Sequence, residues 1–281
     1  MLQPSAVLVL GLALVADAGC RKSDAPPGPA EGRTPAAVTP AAGTADGTDA
    51  AAPPSAVAAP DDAGPPDEES PARSGCADGT ARRIPESPDP EQGEFTLDEA
   101  VAGLEGGGSA WIAVLRTTAG ELRCTLDAER APRTVASFVG LARGVRPWWD
   151  PCRGAWVREP LYDGLAFHRL EPGFLAQVGC PIGDGTGGPG FAVPDEPQAD
   201  ARHDGPGALA LALVGPGTGG SQFYVTLAAA PELDRRHTVF GRCGPAEALA
   251  SLDRAARAGE TVRLLRVTIE SAAEGRAGGG A

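Results

Sequence analysis

No aromatic side chain occurs before Phe95 in a chain of 281 residues, although twelve follow it. A conventional core can therefore be built only from Phe95 onward. Half of the 28 prolines fall between Arg21 and Gly93, mixed with Ala, Gly, Asp and Thr. That composition cannot bury enough apolar area to offset the entropy of ordering the backbone, so residues 21–93 are predicted to be a disordered linker. One domain remains, over 94–271, with a flexible tail at 272–281.

Positive charge is also scarce. The formal net charge is −13, and residues 21–93 carry 6 basic against 13 acidic groups. No clustered basic face exists, which excludes nucleic acid as a partner and leaves the acidity as a solubility feature. Long apolar runs are missing as well. Val7 to Val15 is nine residues of apolar or glycine character, too short to span a bilayer but suited to the apolar segment of a secretion signal. The cysteine spacings match no zinc motif, so no metal is expected. Gly183 to Gly190 is glycine-rich but lacks the Lys-Ser/Thr of a P-loop and the strand–helix setting of a dinucleotide site, so no cofactor is implied.

What is present falls into short elements. Thr96-Leu-Asp-Glu99 is a capping box opening a short helix. Trp111–Leu115 and Glu121–Leu126 flank Thr118-Ala-Gly120 as a hairpin. Pro132 opens a helix whose Val135, Phe138, Val139 and Ala142 share a face, and Gly144 ends it. A second helix follows Pro245 and stops at Gly259. Leu165–Leu170 and Phe174–Val178 are strands about the turn Glu171-Pro172-Gly173. Ala208–Val214, Gln222–Leu227 and Val262–Ile269 are further strands. Arg146–Pro160 reads as an inserted loop carrying Trp148, Trp149 and Trp156, packed on the domain or serving as a peptide-contact rim.

The residues Tyr162-Asp-Gly-Leu-Ala-Phe-His-Arg169, Pro172-Gly-Phe174, Gln177, Gly185-Thr-Gly-Gly188, Gly220-Ser-Gln-Phe-Tyr224 and His237-Thr-Val-Phe-Gly241 resemble the cyclophilins. These are the cyclosporin-binding class of peptidyl-prolyl cis-trans isomerases. The pieces occur in the family's order, with similar flanks from Ala110 to Ile269. The resemblance implies a mainly β fold: a closed eight-stranded antiparallel barrel with a helix covering each open end.

It also implies a site. Phe174, Leu175, Tyr224 and Leu233 line a proline pocket with His237 at its edge. Gln177 and Gln222 hold backbone groups of the peptide, Gly185 lets the backbone approach closely, and Leu213 contacts substrate through its strand end. Arg169 donates to the prolyl nitrogen. His168 is read as structural. Leu213 stands where many members have Asn, Leu175 where Met is commoner, Tyr224 for Phe, Cys180 for Asp, and Glu232 for the tryptophan that borders the site in cyclosporin-sensitive members. Weak cyclosporin binding is therefore expected. The partners implied are proline-containing polypeptides, and the chain is expected to be a monomer. The competing reading is a proline-peptide binding module; Arg169 separates the two, because binding alone would need only the pocket.

Ala18-Gly19-Cys20 resembles the end of a bacterial lipoprotein signal, with Cys20 as the lipidated residue and a periplasmic or cell-envelope location. Asp17 replaces an aliphatic residue of that pattern, and Met1 to Gly11 contains no Lys or Arg. An ordinary cleaved signal is the alternative. With Cys20 acylated, Cys76, Cys124, Cys152, Cys180 and Cys243 remain. An odd number leaves one free or paired outside the chain. Cys124, in a strand pattern, is expected as a buried thiol.

Overall fold

The computed structural model describes Cys76, residues 80–105 and residues 110–272. The signal segment with Cys20, the linker from 21 to 75 and the tail beyond 272 lie outside the described residues. In chain order the elements are α1 (Leu97–Val101), β1 (Trp111–Thr117), β2 (Gly120–Leu126), α2 (Pro132–Arg143), β3 (Trp148–Asp150), β4 (Ala155–Val157), β5 (Leu165–Ala166), β6 (Arg169–Glu171), β7 (Leu175–Val178), β8 (Ala208–Leu211), β9 (Phe223–Thr226), β10 (Val239–Gly244), α3 (Ala246–Ala258) and β11 (Arg263–Ser271), with a 3₁₀ turn at Pro231–Leu233.

Nine of these strands form one antiparallel sheet in the order β5-β11-β1-β2-β10-β8-β9-β7-β6. Its two edges, β5 and β6, are separated only by Phe167 and His168. Leu165–Glu171 is thus a single strand bent at its middle, its first half laddered to β11 and its second to β7. Counted once, it makes eight strands, and the sheet curls back on itself through that bend. Closure removes free edges that would otherwise template pairing with other chains.

The helices follow the apolar spacing. Val135, Phe138, Val139 and Ala142 are all buried, and Phe138 meets Tyr162, Phe223 and Phe240 with ring centroids 5.3 Å apart in each pair. Helix α3 buries Leu249, Leu252, Ala255 and Ala256 against β2, β6 and β10. The capping box at α1 is formed: Thr96 Oγ1 accepts from Glu99 N at 3.3 Å and Glu99 Oε2 accepts from Thr96 N at 2.7 Å.

Two expectations are corrected. Cys124 is not a thiol. It stands opposite Cys243 in the β2–β10 ladder with Cα atoms 3.9 Å apart, and the two form a disulfide. A second disulfide joins Cys76 to Cys152, and Cys180 is the free, buried cysteine among the described residues.

The second correction is the domain boundary. Residues 80–93, expected as linker, form a strap along the domain. Arg82 N donates to Pro151 O at 2.8 Å, and Trp149 Nε1 donates to Arg82 O at 2.6 Å. Trp156 Nε1 donates to Ser87 Oγ at 3.1 Å. Asp89 accepts both terminal nitrogens of Arg146, at 2.8 and 2.6 Å, while the Arg146 guanidinium lies 3.9 Å from the Phe191 ring centroid and 5.4 Å from that of Phe95. The Trp148–Trp149 loop, a β3–β4 hairpin, packs inward and receives this strap; both indoles are buried. Composition does not reveal the strap, because the segment itself holds little apolar area. These contacts are polar and covalent, and the aromatic surface comes from the domain.

Candidate functional site

The bent strand, β7 and β9 bring the singled-out side chains into one cleft of about 1350 Å³. Arg169 pairs with Gln177 across β6 and β7, and Gln177 pairs with Tyr224 across β7 and β9. Period-two alternation places the residues of each such pair on one face. Leu175 and Tyr224 are buried beside Ala210, with Phe174, Ala212, Leu233 and Val239 half-buried against them. This apolar cluster is separate from the main core. Phe174, Leu175, Tyr224 and Leu233 thus meet in one apolar cluster, and His237 stands edge-on to Tyr224 with centroids 5.5 Å apart.

Arg169 is half-exposed. Its Nε donates to Glu171 Oε1 at 2.9 Å, and its guanidinium lies 5.7 Å from the Phe174 ring centroid. A surface ion pair of this kind contributes at most about 1 kcal/mol of stability. It does orient the fork. The Nη nitrogens make no hydrogen bond among the described residues, so they are available to a group in the cleft.

The two glutamines divide the polar work. Gln177 Nε2 donates to Gln222 Oε1 at 2.9 Å. Gln222 Nε2 donates to the carbonyls of Gly185 and Gly187, each at 2.8 Å. The polar atoms of Gln222 are therefore engaged inside the protein. It shapes the cleft by fixing Gln177 and the glycine loop, which differs from the expectation that it holds peptide backbone. Gln177 retains its carbonyl oxygen for a ligand. Gly185 has φ +84°, and a Cβ there would come within 3.1 Å of the His168 ring, so backbone conformation and close approach both require glycine. Leu213 is half-buried and lines the cleft.

Burial lowers the proton affinity of both His168 and His237 below the ordinary histidine value, so both are neutral at pH 7. His237 Nδ1 lies 3.1 Å from Leu211 O, which makes it a donor in the neutral ring.

Three features escaped sequence reasoning. Behind the pocket, fully buried His203 places Nε2 at 2.9 Å from the Tyr224 hydroxyl and Nδ1 at 3.0 Å from Asp234 Oδ1. The backbone N–H and ring of His203, together with Arg202, hold the Asp234 carboxyl down at about 2. Where Phe would only pack, Tyr224 is tied by its hydroxyl, and through Asp234 to the turn carrying Leu233. Glu171, which orients Arg169, is the second. The third is the strap, whose Arg83, Ile84 and Pro85 line the cleft. Arg83 donates to Thr186 Oγ1 at 3.1 Å and to Asp184 Oδ2 at 3.3 Å. No local pattern marks a pairing that spans a hundred residues; the one available signal was Cys76, a cysteine inside a segment otherwise without core residues.

The cleft thus has an apolar floor, the oriented Arg169 cation with free donors beside that floor, and the Gln177 amide carbonyl. It holds no nucleophile–base pair. Among the described residues no group of three His, Cys, Asp or Glu is placed to hold a metal. Such a site suits a change of conformation at an apolar, backbone-bearing ligand.

Comparison with known proteins agrees. The family model described as cyclophilin type peptidyl-prolyl cis-trans isomerase/CLD matches residues 112–274. Peptidyl-prolyl cis-trans isomerase A of Mycobacterium tuberculosis is 44% identical over 135 residues, covering 48% of this chain and 74% of that protein. Peptidyl-prolyl cis-trans isomerase B of Streptomyces anulatus is 44% identical over 129 residues, covering 46% and 74%. A peptidyl-prolyl cis-trans isomerase of Synechococcus elongatus is 37% identical over 163 residues, covering 57% of this chain and 98% of its own. Among solved structures, a Cryptosporidium parvum cyclophilin-type isomerase matches with a TM-score of 0.49 and 24% identity, covering 58% and 98% of the two chains.

Proposed function

Since the chain belongs to the cyclophilin-type peptidyl-prolyl cis-trans isomerases, we propose that it acts on Xaa-Pro bonds in exposed or unfolded polypeptide, assisting folding outside the cytoplasm. Rotation about such a bond is slow because amide resonance sets a barrier near 20 kcal/mol. No covalent intermediate is required. The enzyme must hold the proline ring, allow the amide to twist, and bind the twisted form better than either planar form.

Phe174, Leu175, Tyr224 and Leu233 hold the ring, and Tyr224 is fixed by His203 behind it. Twisting localises the lone pair on the prolyl nitrogen. Arg169 then donates to that nitrogen through its free Nη groups, an interaction that the planar amide cannot offer. Arginine suits the task because it stays charged and presents a rigid fork. Gln177 contributes its carbonyl to the peptide backbone. The observation that carries this reading is Arg169, held by Glu171 on the rim of an apolar pocket with its terminal donors unpaired. A protease-coupled isomerisation assay on the chain including residues 76–93 tests it; no acceleration of a proline tetrapeptide by the pure protein would overturn it.

We also propose anchoring through Cys20, on the strength of Ala18-Gly19-Cys20 after the apolar segment. Two acyl chains bury enough methylenes for stable attachment. Cys20→Ala should abolish lipid labelling and processing; a mutant still cut after Gly19 and released as wild type is would exclude the anchor.

Weak cyclosporin binding follows from Glu232. It is exposed on the turn Pro231–Leu233, next to a residue of the pocket. A rim tryptophan supplies apolar surface and an N–H, whereas a carboxylate covered by an apolar macrocycle loses water without gaining a partner. Inhibition should be weaker than in tryptophan-bearing members by about 2–3 kcal/mol, roughly 30- to 150-fold. Glu232→Trp should restore most of it. Tight inhibition of the unmodified protein would remove Glu232 from the rim.

A further inference from the structure

Two large apolar side chains among the described residues are strongly exposed, Ile84 at 82% and Val214 at 95%. Singly exposed apolar residues are ordinary. These two are not scattered: both line the substrate cleft, one from the strap and one from the loop after β8.

Each is presented by a held backbone. Ile84 follows Arg83, which is bonded to Asp184 and Thr186 of the glycine loop. It precedes Pro85, whose ring seats at Gly190. That glycine has φ +86°, and a Cβ there would lie 3.0 Å from Pro85 Cγ and 2.5 Å from Trp149 Cβ. The Cys76–Cys152 disulfide ties the strap further upstream. On the other element, Thr218 Oγ1 accepts from Val214 N at 3.1 Å and Gly215 N at 3.0 Å, and Asp195 accepts from Gly217 N at 2.7 Å. Apolar groups fixed at the mouth of a binding cleft lose little conformational entropy when covered.

We infer that Ile84 and Val214 form an apolar rim subsite that selects polypeptides with a large aliphatic or aromatic side chain flanking the proline. Continuity with the cleft identifies the occupant. Val214 adjoins Leu213 on the cleft wall, and the strap is bonded to the loop whose Gly185 and Gly187 carbonyls anchor Gln222. A peptide seated on the proline pocket runs past this rim, and unfolded polypeptide exposes the apolar residues that would cover it. The inference rests on the isomerase reading of the cleft. It adds a preference set by the strap, outside the residues matched by the family model.

The test compares short proline peptides carrying glycine or leucine at each flanking position, with dissociation constants from titration and isomerisation rates measured in parallel. The leucine peptide should bind about five- to tenfold more tightly at one flank, the scale of covering part of two apolar side chains. In the double variant Ile84→Ser, Val214→Ser that ratio should fall below about twofold. Equal affinities for both peptides in the wild type, or a ratio that survives the double substitution, would overturn the rim subsite. A ratio with no turnover of any peptide would leave the subsite standing and overturn the isomerase reading instead.

Discussion

Arg169→Ala should abolish most isomerase activity while leaving the melting temperature nearly unchanged. The lost interaction exists mainly in the twisted state, so the change falls on turnover more than on peptide binding. Removing one oriented donor from a transition state costs about 2–4 kcal/mol, roughly 30- to 900-fold in rate. Stability should move by about 1 kcal/mol, because the interactions lost among the described residues are the half-exposed pair with Glu171 and the exposed contact with the Phe174 ring. Arg169→Lys should recover little, since a point charge does not reproduce a fork already oriented at its Nε. Glu171→Gln should fall between wild type and Arg169→Ala, loosening the fork without removing it. Activity and thermal melting of all three variants make the check, and near-wild-type turnover of Arg169→Ala would sink the mechanism.

The second large effect concerns the strap. Arg146 is 2% exposed in its side chain and its charge is met by Asp89. Asp89→Ala leaves a buried guanidinium without its counter-charge, which typically costs about 3–5 kcal/mol. It also strips the acceptor from Glu91 N and Gly93 N. For a domain of this size the melting temperature should drop by roughly 10 °C. The double variant Asp89→Ala, Arg146→Met should recover much of the loss, because both charges leave together.

Acid provides an independent check. Burial alone would raise the Asp89 carboxyl, but hydrogen bonds from Arg146 and from backbone N–H groups hold it below the ordinary carboxylate range. A carboxyl depressed in the folded state contributes stability that is complete above its unfolded value, about pH 4, and is lost as pH falls through the folded value. Wild type and Asp89→Ala should therefore differ fully at pH 7 and converge in strong acid. If the two proteins melt together at pH 7, the strap is not part of the folded domain. A chain begun at residue 94 should show the same destabilisation as Asp89→Ala or worse.

Much of this protein was settled by local sequence. The capping box at Thr96, the helix faces of Val135 and Phe138, the stops at Gly144 and Gly259 and the turn after Glu171 depend on neighbours a few residues away, and the structure places each where local physics put it. The pocket residues were legible through resemblance alone: nothing in the spacing of Phe174, Tyr224 and Leu233 distinguishes a pocket from a core. Tertiary structure decided the rest. Closure of the sheet turns on a bend at Phe167-His168 that unites two ladders. Cys124 became half of a disulfide because β10 returns beside β2, 119 residues later. His203 reaches Tyr224, and Asp89 reaches Arg146, only once the strands between them are paired. Residues 80–93 carry too little apolar surface to fold alone, so composition assigned them to the linker; the domain supplies the tryptophans, the buried cation and the cysteine that hold them down. Periodicity and capping are written within a helical turn or a strand pair, whereas a charge or hydroxyl gains its partner from wherever the fold returns the chain.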